Sequence, residues 1–293
     1  MTEDTGLTEP HYLTTREVAD LLRVKERKVY DLAAAGEIPH RRITGKLLFP
    51  RGEVLAWLGE APATASGPRP HVLTGSHDPL LDWAVRESGS GLATLFNGSQ
   101  DGLTCFSRGE AALSGLHVPD SGGWNIGTVS AAGVTDAVLI GWATRSRGLI
   151  LSPRLDGQIA SIADLKGHRV VLRQPGAGAA ALFEQLLADA GMTAEDLQSA
   201  TAYARTESDA AAAVASDEAD AAPGIEAMAR QFQLPFLPLV EERFDLLIDR
   251  RAYFTEPVQA LLAFMQSPAF EAKATALGGY GLSGAGEVRW LSP

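Results

Sequence analysis

Between residues 12 and 58 the apolar positions recur at helical spacing and are broken by turn residues, which predicts three short helices and a hairpin. Thr14-Thr15-Arg16-Glu17 fits a capping box: the Thr14 hydroxyl can accept the Glu17 N–H while the Glu17 carboxylate reaches back to the cap. Val18, Leu21 and Leu22 follow at i, i+3, i+4 and form one buried face. A second helix is expected over residues 25–35, with Val29, Leu32 and Ala33 inward and Gly36 ending it in a left-handed conformation. Residues 38–43 and 46–49 flank Thr44-Gly45, the pattern of a two-residue hairpin or wing. A third helix over residues 51–58 brings Val54, Leu55, Trp57 and Leu58 to close the core. Two short helices joined by a tight turn make a helix-turn-helix.

From His71 onward the pattern changes. Short apolar runs (Val72-Leu73-Thr74, Leu92 to Phe96, Ala137 to Ile140, Gly148 to Leu151, Arg169 to Leu172, Phe244 to Ile248) alternate with helical patterns. Residues 180–190 are an example of the latter, with Leu182, Phe183, Leu186 and Leu187 on one face. Strand-helix alternation predicts an α/β domain with a mainly parallel sheet covered on both faces. In such sheets ligands bind where the carboxyl ends of strands meet helix starts. Those junctions carry small polar residues: Thr74-Gly75-Ser76-His77-Asp78, Asn97-Gly98-Ser99-Gln100-Asp101, Arg173-Gln174-Pro175-Gly176-Ala177-Gly178, Arg205-Thr206-Glu207-Ser208 and Ala222-Pro223-Gly224. Glycine admits a close backbone approach and free helix N–H groups favour an anion, so the inferred site is an oxyanion or carboxylate pocket. Each segment alone could equally be a helix cap.

Charge separates the two regions. Residues 11–58 hold nine basic side chains (Arg16, Arg23, Lys25, Arg27, Lys28, Arg41, Arg42, Lys46, Arg51) against six acidic ones, an excess of three, although the whole chain of 293 residues carries −11. A basic module beside an acidic one suggests a polyanion partner for the first alone. Residues 59–69, rich in Pro, Ala, Ser and Gly, read as a linker, which divides the chain into residues 12–58, 59–69 and 70–293. No window approaches the ~20 apolar residues of a membrane helix and the first ten residues lack a signal-peptide pattern, so the expected location is the cytoplasm, with no membrane partner. Cys105, the only cysteine, excludes an internal disulfide.

Residues 13–24, Val29-Tyr30, Gly36-Glu37-Ile38-Pro39 and Phe49-Pro50-Arg51 resemble the winged helix-turn-helix of excisionase and MerR-type DNA-binding domains, over essentially the whole module. The resemblance implies that the second helix enters the major groove of double-stranded DNA and the wing lies on the backbone or minor groove. Thr15, Lys25, Arg27, Lys28 and Tyr30, with Arg41, Arg42 and Lys46 on the wing, are the candidate contacts. The larger region resembles the type II periplasmic binding protein fold, and in particular the cytosolic relatives of molybdate- and tungstate-binding proteins that are attached to helix-turn-helix domains. The residues that carry this are Gly98-Ser99, residues 108–112, 116–120, Gly123-Trp124-Asn125, Arg147-Gly148-Leu149, residues 162–167, 173–178 and 218–222. Such domains have two lobes that close on a ligand about two crossovers, here expected near residues 144–146 and 234–238.

Candidate ligand-binding residues are Ser76, His77, Asn97, Gly98, Ser99, His117, Trp124, Asn125, Arg173, Gln174, Gly176, Gly178, Thr206 and Glu207. His117 could instead be a hydrogen-bonded brace, Trp124 a packing residue, and Arg173 and Gln174 could pin their loop by bonding carbonyls. Relatives often place a hydroxyl residue and an arginine after Gly178, whereas this chain has Ala179 and Ala180, which leaves room for a small organic ligand instead of molybdate. The motifs of zinc proteases, P-loops and serine hydrolases are absent, no histidine pair stands at i, i+4, and no catalytic residue, metal ligand or cofactor is implied. The expectation is a one-component transcriptional regulator, not an enzyme: a homodimer that reads two half-sites of an operator and responds to a small-molecule or oxyanion effector. The alternative is an enzyme on the same two-lobed scaffold with a DNA tether.

Overall fold

The computed structural model describes residues 12–43, 46–57, 68–120, 122–175, 177–199 and 203–292. The expected wing turn at Thr44-Gly45, Leu58, nearly all of the linker, and Gly176 lie outside them. The chain divides into two compact units, Met1–Ser66 and Gly67–Pro293.

In the first unit β1 (Tyr12–Leu13), α1 (Thr15–Leu22), α2 (Glu26–Ala34), β2 (Arg41–Ile43), β3 (Lys46–Pro50) and α3 (Arg51–Trp57) follow in order, and the strands form a sheet β1-β3-β2. The capping box forms: Thr14 N donates to Glu17 Oε2 at 2.7 Å and Glu17 N to Thr14 Oγ1 at 3.3 Å. These bonds hold the Glu17 carboxyl below its usual range. Arg23, in a left-handed conformation, ends α1, and Gly36 (φ +71°) follows α2 as its position predicts. Leu13, Val18, Ala19, Val29, Ala33, Ile38, Phe49 and Val54 make the core. Leu22 and Leu32 pack against it half-buried, and three expected core residues are outside it, Leu55 being half-buried. Leu21 is exposed because Ala19 takes the inward place beside Val18, and Trp57, at the last turn of α3, is also exposed.

The second unit opens with β4 (Val72–Gly75), α4 (Pro79–Glu87), β5 (Ala93–Leu95), α5 (Ser99–Ser107) and β6 (Leu113–Leu116), then the small hairpin β7 (Pro119–Asp120) and β8 (Gly123–Trp124), and α6 (Ile126–Ala131). The long β9 (Ala137–Leu151) leads to β10 (Arg169–Val170), α7 (Gly178–Asp189), β11 (Gln198–Ser199), α8 (Glu207–Ala215), β12 (Ala221–Ile225) and α9 (Glu226–Gln231). A second long strand, β13 (Phe236–Asp249), returns, followed by α10 (Glu256–Met265), α11 (Pro268–Leu277), β14 (Tyr280–Gly281) and β15 (Val288–Leu291).

The strands form one sheet, β11-β10-β12-β9-β13-β6-β4-β5, with β14 and β15 also on β9. The expectation of a mainly parallel sheet needs correction. The outer pairs β4–β5, β4–β6, β10–β11 and β10–β12 are parallel, but both long strands pair antiparallel with each other and with every neighbour. The two apolar runs at 137–140 and 148–151 are ends of the single strand β9, because the charged residues between them are themselves buried.

Two lobes result, each with its sheet covered on both faces. Leu73, Leu81, Trp142, Phe244 and Phe270 sit on one face of the first lobe, and Phe106, Leu116 and Leu247 on the other. Leu149, Leu165 and Phe183 lie on one side of the second lobe, with Ile150, Val214 and Met228 on the other. The lobes are joined through β9 and β13, whose register sets Ser146 opposite Glu241, Arg145 opposite Glu242 and Thr144 opposite Arg243. The first crossover thus lies where expected, whereas the second is at 241–243, since Leu237 already pairs with Leu149 inside the second lobe.

Candidate DNA-binding surface and ligand cleft

In the first unit, Lys25, Arg27, Lys28 and Tyr30 are exposed on and just before the first turns of α2. Arg41, Arg42 and Lys46 are exposed on the hairpin, where Arg41 faces Leu48, Arg42 faces Leu47 and Lys46 faces Ile43. Arg41 also pairs with Glu53 at 2.8 Å, which tethers it toward α3. Thr15 departs from the expected set. It is buried at the start of α1 and cannot reach a phosphate or a base edge.

In the second unit, residues of both lobes meet beside the crossover strands. Ser76, after β4, and Ser99, at the start of α5, are buried with their hydroxyls 2.8 Å apart. The Ser99 hydroxyl also accepts the His117 N–H at 3.3 Å. From the second lobe, Gln174 Nε2 donates to the Asn97 carbonyl at 3.3 Å. At the start of α7, Gly178 lies so near His117 that an added Cβ would stand 2.5 Å from its carbonyl oxygen and 3.2 Å from its Cε1. His117 therefore touches the starts of α5 and α7, which belong to opposite lobes. Neither helix has a side-chain cap at its start among the described residues.

Beneath these contacts runs a buried chain of alternating charge. Tyr280 donates to Asp78 at 2.7 Å, and Asp78 pairs with Arg145 at 2.9 Å. Arg145 meets Glu242 at 2.5 Å, and Glu242 meets Arg147 at 2.7 Å. Arg147 and Arg173 then share Glu207 Oε1, at 2.8 and 2.6 Å. His117 Nδ1 joins from the side, 3.1 Å from Glu242, and its ring stacks on Phe244, whose face also carries the Arg145 guanidinium at 4.5 Å. The three arginines and three carboxylates balance, and each of the six is buried.

The local fields follow. Burial opposes ionisation of Glu242, but Arg145, Arg147 and His117 outweigh it and hold the carboxyl well below its usual range. Glu207 is likewise lowered by Arg147, Arg173 and Arg145 against the effect of burial. Burial pushes His117 below its usual range, opposed by Glu242 and aided by Arg145 and Arg147. The contacts Arg145–Glu242, Arg147–Glu242 and Arg173–Glu207 are close but not aligned as hydrogen bonds, and Arg147 Nη1 and Glu207 Oε2 are buried with no hydrogen-bond partner among the described residues.

Several expected ligand residues are engaged within the protein. Arg173 donates to the Ala204 and Arg205 carbonyls besides pairing with Glu207. Asn125 is fully buried: its Oδ1 accepts from Val118 N and its Nδ2 donates to Asp245, which makes it a brace. Trp124 offers its carbonyl to Arg243, and Thr206 caps α8. His77 packs its edge on Phe96. Gly98 begins α5 with φ +106°. Sequence reasoning missed Arg145, Glu242 and Tyr280, and gave Asp78 only as part of a strand-helix junction and Arg147 only as part of a resemblance motif. Arg145 and Arg147 stand two apart, the spacing of one face of a strand, in the short polar stretch Thr144 to Gly148 between two apolar runs, and that spacing is the signal available.

Comparison with known proteins then decides the family. A model of the PBP superfamily domain matches residues 82–266. The chain belongs to the PBP superfamily. A helix-turn-helix domain matches residues 12–62, so a DNA-binding type of domain is fused to a PBP-superfamily domain. The chain is similar to the uncharacterized protein YvgK of Bacillus subtilis, 24% identical over 306 residues, covering 96% of this chain and 99% of the relative. Among solved structures it resembles a protein described as a phosphate ABC transporter substrate-binding protein, with bound phosphate, from Clostridium perfringens (TM-score 0.53, 15% identity, 72% of this chain and 98% of that one). It also resembles the regulatory domain of MetR, a LysR family regulator from N. meningitidis (TM-score 0.51, 12% identity, 72% and 96%). Both likenesses concern the fold. Among the described residues no group of three His, Cys, Asp or Glu is placed to hold a metal ion, and no helix is long and apolar enough to cross a membrane.

Proposed function

We propose that this chain is a cytosolic, ligand-responsive transcriptional regulator, in which a small ligand held between the lobes changes how the N-terminal domain engages double-stranded DNA. One observation carries the reading: His117, Gly178, Asn97 and Gln174 bring the lobes together where two helix starts without side-chain caps and the Ser76–Ser99 pair converge. A ligand there contacts both lobes at once, and it shifts their equilibrium by as much as it prefers the closed arrangement.

The chemistry of the cleft favours a small anion held by hydroxyls and helix N–H groups, either an oxyanion such as molybdate or tungstate or a small organic carboxylate. The arginines do not supply net positive charge, because each is matched by a buried carboxylate. Those carboxylates are held ionised, so neither Glu207 nor Glu242 is poised to exchange a proton near neutral pH, which favours binding over catalysis.

The test uses the purified full chain. Melting temperature is measured against molybdate, tungstate, sulfate, phosphate and a set of small carboxylates, since a ligand at 100 times its Kd adds about 2.7 kcal/mol to the native state. Fluorescence anisotropy with DNA from upstream of its own gene is then followed with and without each ligand that stabilises. Arg27→Ala with Lys28→Ala is expected to weaken DNA binding roughly tenfold or more while the ligand-induced melting shift is unchanged. DNA affinity indifferent to every stabilising ligand would refute the regulatory reading.

A further inference from the structure

His117 follows β6 and is the residue through which the first lobe meets the start of α7. It is 2% exposed; one face of its ring stacks on Phe244, and Nδ1 stands 3.1 Å from Glu242 Oε2. An ionised carboxylate only accepts hydrogen bonds, and Arg145 and Arg147 keep Glu242 ionised. The contact therefore fixes the tautomer, with a proton on Nδ1. Burial holds the ring below its ordinary 6.5, so at pH 8 that proton is the only one and Nε2 carries a lone pair.

Nε2 lies on the side of the ring remote from Glu242, bonded to Cε1, and Cε1 faces the start of α7: a Cβ added at Gly178 would stand 3.2 Å from it. No donor of the protein bonds to Nε2 among the described residues. A buried acceptor left without a donor is costly, so Nε2 calls for a hydrogen from outside the chain. The serines beside it have the complementary need. The Ser76 and Ser99 hydroxyls, 2.8 Å apart and both buried, hold two hydrogens, and their mutual bond uses one. Ser99 Oγ accepts the His117 N–H at 3.3 Å, which occupies a lone pair and no hydrogen. One hydroxyl hydrogen therefore remains, with no acceptor among the described residues. The place offers an acceptor, Nε2, and a donor, a serine hydroxyl, and a ligand answers both by carrying one of each.

We infer that His117 Nε2 selects the ligand: the molecule held between the lobes is an anion that carries a hydrogen of its own on a polar atom, as hydrogenphosphate or a hydroxy acid does, and not an oxyanion without one. The inference rests on the reading that a ligand lies between the lobes, and it narrows the anions admitted there. Molybdate, tungstate and sulfate carry no proton at neutral pH. Each would set oxygen lone pairs against the lone pair of Nε2, and a site built to accept a hydrogen bond rejects a ligand of the same shape that cannot donate one.

The test is calorimetry on the purified full chain at pH 8 with matched anions, phosphate against sulfate and molybdate, and glycolate against acetate. In at least one set the anion with a hydrogen to donate should bind at least about tenfold tighter. Sulfate or molybdate binding as tightly as phosphate, with acetate as tight as glycolate, overturns the inference and leaves the regulator and its anion site standing. Binding of none of these anions overturns the inference together with the anion reading on which it rests. His117→Asn then separates selection from support, because the Asn amide can take the place of Nδ1 as donor to Glu242 while Nε2 is removed. The preference should fall to about threefold or less with the melting temperature retained, and a preference that persists overturns the inference. Should that variant not fold, the 15N resonance of Nε2 in the natural chain decides: it should move as phosphate or glycolate saturates the site, and a resonance that stays in place while either binds overturns the inference.

Discussion

Glu242 shows how a single residue ties the lobes to their hinge. Its carboxylate meets Arg145 and Arg147 on the opposite strand and His117 from the first lobe, and it has no exposure to water. A buried ion pair adds little net stability, but removing one partner leaves uncompensated charge in low dielectric. Glu242→Gln should therefore lower the unfolding free energy by about 3–5 kcal/mol, measured by urea denaturation. Acid should act in the same direction. His117 is depressed below its ordinary 6.5, so its contribution is present above about pH 6.5 and is lost as pH falls through the lower folded value. Glu207 and Glu242 are depressed below 4.5, so theirs is present above about pH 4.5 and lost on further acidification. Asp245, raised by burial, has the opposite sign and offsets part of this loss. The melting temperature should be flat from pH 8 to 7 and fall below pH 6.5; a flat profile down to pH 4 would show that His117 is not buried neutral. His117, Arg173 and Glu207 are legible as candidates from their junction segments and motifs, but their partnership is not, because Arg145 and Glu242 are joined by strand register across about a hundred residues of chain.

Among elements, those set by local rules were the readable ones. The Thr14–Glu17 capping box, the left-handed Gly36 and the helix beginning near Ala180 depend on neighbours within four residues and formed as their patterns require. The hydropathy of β9 predicts two strands because local hydropathy cannot tell a charged break from charges paired inside the protein. The start of α7 lies between these cases. Its glycine can be marked as a place of close approach, but what approaches, the His117 carbonyl, is set only by how the two lobes meet. Gly178→Ala tests that closure directly. Its methyl would stand 2.5 Å from a backbone oxygen that has no freedom to swing aside, so the lobes must separate slightly. Ligand affinity measured by calorimetry should fall at least about tenfold, about 1.4 kcal/mol, whereas the melting temperature of the ligand-free chain should change little. A loss of stability without loss of affinity would mean that the contact is a packing detail and not the seat of closure.

At the scale of the whole molecule, the charge separation makes the last prediction. The chain carries −11, yet six exposed cations (Lys25, Arg27, Lys28, Arg41, Arg42 and Lys46) cluster on one helix start and one hairpin of the first unit. If these neutralise phosphates, DNA affinity must fall as salt rises, by about 0.9 in the logarithm for each phosphate contact per tenfold salt. Six contacts per copy would give a slope near −5, and a dimer on two half-sites about twice that. Replacing Lys28 by Ala should reduce the steepness by roughly 0.9 per copy if it meets a phosphate, while a smaller change is expected for Arg41, whose guanidinium is already paired with Glu53. The acidic remainder repels DNA and sharpens the effect, because binding that depends on a few cations against a net negative molecule has little non-specific attraction to fall back on. Binding by the full chain that is insensitive to salt between 50 and 200 mM would therefore exclude this surface as the one that meets DNA, whatever the helix-turn-helix domain resembles.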